Sequence, residues 1–133
     1  MKTDPGAGTK PQLSFSLAVA VKAVLVGLIF YLALALLTTI VINFLEDLEI
    51  RLPMLAYIAQ YLTSLITGLV AGWLAEQSGW LHGFGAGTLF MVAISLLGGF
   101  ILPAAPALSN ILWWRLFPGA FLGLVGGTIG ANL

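Results

Sequence analysis

Residues 54–102 read MLAYIAQYLTSLITGLVAGWLAEQSGWLHGFGAGTLFMVAISLLGGFIL and contain one full charge, Glu76. Two apolar runs flank the polar turn Glu76-Gln77-Ser78-Gly79. Each run supplies the roughly 20 helical residues needed to cross a bilayer core of about 30 Å. Neither alternates polar with apolar residues as a half-buried strand would. An open sheet would also leave backbone polar groups unsatisfied in lipid. The stretch therefore reads as a helical hairpin that crosses a membrane twice.

The flanking sequence extends the pattern. Ala23 to Leu45 is uncharged and predicts a first span over 23–45, with Lys22 at its mouth, where a long side chain reaches the headgroups. Glu46, Asp47, Glu49 and Arg51 form a charged connection that ends at Pro53. The second span is expected over 54–75 and the third over 80–102. Pro103, Pro106, Ser109 and Asn110 mark a loop before a fourth span over 111–132. Pro118 lies two turns inside that span and is expected to kink it or to mark its true start. Residues 1–15 read as a flexible polar tail in the cytoplasm and residues 16–133 as the transmembrane domain, with Ser14 to Lys22 an amphipathic lead-in. The N-terminus does not read as a signal peptide, because the apolar run after it is too long for one. The expected fold is all-α: an integral membrane protein of four transmembrane helices packed as two hairpins.

Composition agrees. Of 133 residues, 60% are hydrophobic and 8% charged, and the mean hydropathy is +1.08. Soluble domains carry about 25% charged residues, and a soluble domain this short leaves much of its surface in water. The formal net charge is zero, which gives nucleic acid nothing to bind. Without cysteine there are no disulfides, thiolate metal sites or cysteine nucleophiles. One histidine and five carboxylates make a metal cluster or catalytic triad improbable, so no catalytic residue, metal or cofactor is expected.

Basic residues near span ends set orientation. Lys2, Lys10 and Lys22 precede the first span, whereas Arg51 and Arg115 fall on the opposite side. Four spans with both termini in the cytoplasm place three basic residues inside and two outside, in the cell membrane. Trp80, Trp113 and Trp114 sit at span ends with Arg115, as interface anchors do. Arg115 is expected to rest at the interface or to pair with Glu46, Asp47 or Glu49, and would also suit an anionic headgroup.

A faint repeat runs through the chain. Gly27, Phe30, Ala33, Leu36 and Leu37 recur as Gly87, Phe90, Ala93, Leu96 and Leu97. Gly68-Leu69-Val70-Ala71-Gly72 is echoed by Gly123-Leu124-Val125-Gly126-Gly127. In this topology the two hairpins would be parallel repeats about an axis along the membrane normal.

Glycine is the strongest local signal. Gly68 and Gly72 are four apart, as are Gly79, Gly83 and Gly87, then Gly119, Gly123 and Gly127, and also Gly126 and Gly130. That spacing puts them on one helix face, where a backbone without side chains admits another helix closely. The faces would join spans two, three and four within one chain, join copies through span four, or line a pathway.

Glu76 and His82 flank the second turn. Such a pair would relay protons, or both would simply face water or headgroups. Deeper polar residues are Thr38, Thr39, Asn43, Gln60, Thr63, Ser64, Thr67, Thr88 and Ser95. Thr and Ser are expected to bond carbonyls one turn back, and Asn43 and Gln60 to bond across spans one and two.

The run Gly68, Gly72, Gly79-Trp80-Leu81-His82-Gly83 and Gly87 resembles the small four-helix YrzE-like membrane proteins of Gram-positive, Firmicute-type bacteria. Length, four spans and a short polar tail are similar over nearly the whole chain, while the specific part covers residues 68–87. The resemblance implies membrane location and brings no activity, cofactor or substrate. Its members are sometimes encoded near accessory subunits of the protein-export translocase, which implies a partner of that kind. The family leads one to expect basic residues in the turn after span two, where this chain has Glu76-Gln77-Ser78. That departure bears on orientation.

With no charge deep in a span and many small-residue faces, the expected function is non-enzymatic: a small accessory or scaffold subunit of a larger membrane complex, or a self-associating bundle. The alternative is a minimal transporter or channel formed by a homo-oligomer around a shared pathway. Besides such a partner, the lipid bilayer is the only one expected.

Overall fold

The computed structural model describes residues 15–45, 51–75, 77–101 and 110–133, and its regular elements are four α-helices. They are α1 (Leu17–Phe44), α2 (Leu52–Leu74), α3 (Gly79–Ile101) and α4 (Asn110–Ala131). Lys2, Lys10, Glu46, Asp47, Glu49, Glu76, Pro103, Pro106 and Ser109 lie outside the described residues. The three helices α1, α2 and α3 are long and apolar enough to cross a membrane. α4, with five glycines, Arg115 and Pro118, is the least apolar of the four.

Local sequence sets the helix ends. Ser16 is the N-cap of α1, with extended backbone (φ −94°, ψ 106°) and no side-chain cap bond. α1 therefore begins six residues before the uncharged run. Its 28 residues make a rod of about 42 Å, longer than a bilayer core. Lys22 lies in its second turn and is exposed, not at the mouth of the helix. Pro53 stands in the first turn of α2, where a missing N–H is harmless. Pro118 lies inside α4, which starts eight residues earlier, so it does not mark the start of that helix.

The packing is inside out relative to a soluble protein. Buried positions are mostly small: Ala20, Ala23, Ala71 and Ala86 form one cluster, with Ser64, Thr63 and Thr67 also fully buried. Large apolar side chains face outward, among them Ile29 at 70% exposure and Phe100 at 88%. Water would not tolerate that surface on a monomer. Lipid does, and it leaves close backbone packing to hold helices together.

Neighbouring contacts give the topology. Gly68 meets Gly123 and Gly72 meets Gly127, so α2 and α4 are parallel. Gly79 meets Gly127 while Gly87 meets Gly119, so α3 and α4 are antiparallel. α1 packs on α2 and α3 and, among the described residues, makes no contact with α4. The helices thus do not separate into two hairpins. α4 lies as closely on α2 as on its sequence neighbour α3, because both present glycine to it. The proposed repeat is correspondingly lopsided. Its glycines Gly68 and Gly123 meet face to face, yet α2 touches α3 with no matching contact between α1 and α4.

Candidate functional site

At the glycine junction α2, α3 and α4 meet backbone to backbone. A methyl placed on Gly68 would overlap the carbonyl of Gly123, and one on Gly72 the carbonyl of Gly127. On Gly87 it would stand 2.8 Å from Gly123 Cα and 3.2 Å from Ser64 Oγ. On Gly83 it would meet the backbone of Gly123 and Gly127, and on Gly79 the Ala131 methyl. Gly119 faces the side chain of Met91, with Sδ 2.7 Å from the methyl position. Gly126 and Gly130 lie on the carbonyls of Leu65 and Leu69. All these glycines face other helices of the same chain.

One side-chain hydrogen bond crosses this junction. Ser64 Oγ, buried in α2, donates to the Gly119 carbonyl of α4 at 2.7 Å. The other hydroxyls bond within their own helices: Thr38 to Leu34, Thr39 to Ala35, Thr63 to Ala59, Thr67 to Thr63, Thr88 to Phe84 and Ser95 to Met91. Asn43, expected to bridge spans one and two, donates to Thr39 O on its own helix at 2.9 Å. Its amide is long enough to reach one turn back, which satisfies it without a second helix.

A second cluster fastens α1 to the start of α3. His82 does not face water: it is 2% exposed. The backbone N–H of Ser16 donates to its Nε2 at 2.8 Å, and its Nδ1 lies 3.0 Å from the Ser78 carbonyl. A backbone N–H can only donate and a carbonyl can only accept. The tautomer is therefore set: Nδ1 carries the proton and Nε2 the lone pair. Ser78 presents its carbonyl from the left-handed region, φ 58°, a strained setting for a residue with a Cβ. Phe15 stacks on the imidazole, ring centroids 5.2 Å apart at 23°. Its ring also occupies the space where a Gly85 side chain would stand. Phe15, placed in the tail by composition, is thus seated on α3. The partner suggested for His82 in sequence, Glu76, lies outside the described residues.

At the other end of the bundle, the guanidinium of Arg115 lies over the Tyr57 ring at 4.7 Å, a cation–π contact between α4 and α2. The acidic residues suggested as its partners lie outside the described residues. Trp113 and Trp114 are exposed at 75% and 81%, and Trp80 at 46%. Trp113, Trp114, Phe117 and Phe121 border a groove of about 440 Å³ between α3 and α4. Thr88 in its wall is satisfied by Phe84 O at 2.8 Å, so the groove offers a ligand little but apolar surface.

Ser64 was expected to bond one turn back and instead reaches across to α4, while Phe15, Ser16, Gly85 and Tyr57 were given no role by the sequence. Each acts through a partner more than fifty positions away, and no local pattern marks that. The one available signal was Gly85, which stands between Gly83 and Gly87 yet off their four-residue register.

The family described as protein of unknown function (DUF3792) matches residues 16–130. The chain belongs to the DUF3792 family. The match takes in all four helices save the last residue of α4, and with them both the glycine junction and His82. It begins at Ser16, the residue whose amide holds His82. Comparison of this DUF3792 chain with curated proteins found no match, and comparison with solved structures found none either.

Proposed function

We propose that this DUF3792 protein is a four-span, non-enzymatic subunit of a larger membrane complex, with both termini in the cytoplasm. α4 is read as the fourth span. Its 22 residues extend about 33 Å, and its glycine face follows α2 and α3 along their length, so it shares their medium. Lys2, Lys10 and Lys22 against Arg51 and Arg115 favour the cytoplasmic termini. The YrzE-like, Gram-positive grouping belongs to the same reading.

One observation carries the accessory role: past Gly27, α1 has no fully buried residue and keeps a broad apolar outward face. Its buried residues are Ala20, Ala23 and Gly27. Beyond them Ile29, Leu32, Leu36 and Ile40 stand outward at 55–70% exposure. The α4 glycines, the other candidate contact with a partner, are occupied by α2 and α3. The outward face of α1 beyond Gly27 is the surface we assign to a partner helix. A photoreactive residue at Leu36, irradiated in native membranes, should cross-link to a second, larger membrane polypeptide, and one at Leu133 should not. Equal cross-linking to lipid alone from both positions would remove this assignment.

The transporter or channel reading joins copies around a shared pathway, and the span-four glycines are one surface that could join them. Their engagement within the chain weighs against it.

A further inference from the structure

Most polar groups of the bundle are satisfied within their own helix. His82 is the exception among titratable side chains: buried, bonded at both ring nitrogens, and joining two helices. We infer that His82 is a proton-operated latch, which holds the first turn of α1 on α3 while neutral and releases it when Nε2 gains a proton.

The geometry carries the argument. The contact to Ser16 needs a lone pair on Nε2, because its partner is a backbone N–H at 2.8 Å. A proton on Nε2 would set one N–H against another, with no acceptor between them. The bond to Ser78 O would survive, since Nδ1 donates in both states. The Phe15 face accepts an imidazolium as readily as an imidazole, so the stack does not oppose the change. Protonation therefore breaks one contact, the hydrogen bond between the start of α1 and α3.

The release is bounded. Ala20 and Ala23 stay packed on Ala71 and Ala86, so movement is confined to residues 15–19. No side chain there is charged. On α1 the nearest charged group in sequence is Lys22, exposed and on the second turn. Along α3 His82 is the only titratable side chain. α4 ends near this level and carries its one charge, Arg115, toward its other end, and Glu76 beyond α2 lies outside the described residues. The sign follows: the latch is closed when His82 is neutral and is lost as pH falls. Histidine is the side chain that ordinarily titrates between about pH 8 and 5.

The test uses the full chain in phospholipid nanodiscs, with ¹⁵N-labelled histidine and amide exchange followed across that range. At the alkaline end the imidazole should show a protonated Nδ1 and a bare Nε2. As His82 takes up its proton, the protection of the Ser16 amide, corrected for intrinsic exchange, should fall about tenfold, the loss expected for one buried hydrogen bond. Ala23 should keep its protection. H82Q, which does not titrate, should abolish the pH response of Ser16. The inference is overturned if Ser16 protection stays constant while His82 titrates, if His82 does not titrate in that range, or if H82Q keeps the response.

Discussion

Gly68 on α2 and Gly123 on α4 lie backbone to backbone, so close that a methyl on the first would overlap the carbonyl of the second. Five glycines over about three helix turns, from Gly119 to Gly130 on α4, make contacts of this kind and bind it to its neighbours. In lipid there is no water to drive apolar side chains together, so close backbone approach and interhelical hydrogen bonds must supply the cohesion. Glycine is what that approach requires.

Substitution should therefore sort glycines by their neighbours. Gly123→Ala should destabilise the bundle by about 1–3 kcal/mol, the usual penalty of overpacking. Gly98 has nothing within 4 Å of its methyl position, so Gly98→Ala should be neutral or slightly stabilising, since alanine is the better helix former. Reversible unfolding in mixed micelles compares the two. Equal effects would mean that the junction is not the core.

Gly27 tests how α1 is seated. Its methyl position overlaps Thr67 Oγ1, with Thr67 Cβ at 3.2 Å and Phe90 Cδ2 at 3.4 Å. Gly27→Ala alone should destabilise the bundle, and Thr67→Ala should relieve most of that loss. A double-mutant cycle should thus show a coupling of about 0.5–3 kcal/mol. Simple additivity would place α1 elsewhere.

The Ser64 hydroxyl should matter more than its neighbours. Ser64→Ala removes the bond to Gly119 O, and about 0.6 kcal/mol is the average for such bonds in a membrane bundle. Ser95→Ala removes only a bond within α3 and should leave unfolding unchanged. A larger effect at Ser95 than at Ser64 would contradict the assignment.

These predictions show what the sequence made legible. The long apolar runs were readable because hydropathy acts locally, but the start of α1 was not: it begins at Leu17, six residues before the uncharged run. Glycine faces at four-residue spacing were visible too, but spacing alone does not say which helix fills them. That α4 would meet α2 as well as α3 depends on three helices converging. His82 was misplaced toward water because it stands at a helix end. Its burial comes from Phe15 and Ser16, sixty-six positions before it in the case of Ser16. Asn43 was expected to bridge helices and instead bonds the Thr39 carbonyl one turn back on its own helix.

The chain has no cysteine, so its orientation can be tested by single-cysteine labelling. Single-cysteine variants Gln77→Cys and Arg51→Cys, at exposed positions on opposite ends of α2, should label from opposite sides of intact cells. An impermeant thiol reagent should reach position 51 and spare position 77. The reverse pattern would put both termini outside.

The measurement that bears most directly on the proposed role is native mass spectrometry of the intact protein, extracted gently from its native membrane. A stable complex with a different, larger membrane protein, lost when Leu36 is replaced by a charged residue, is the predicted result. A monomer, or copies of this chain alone, would contradict the account.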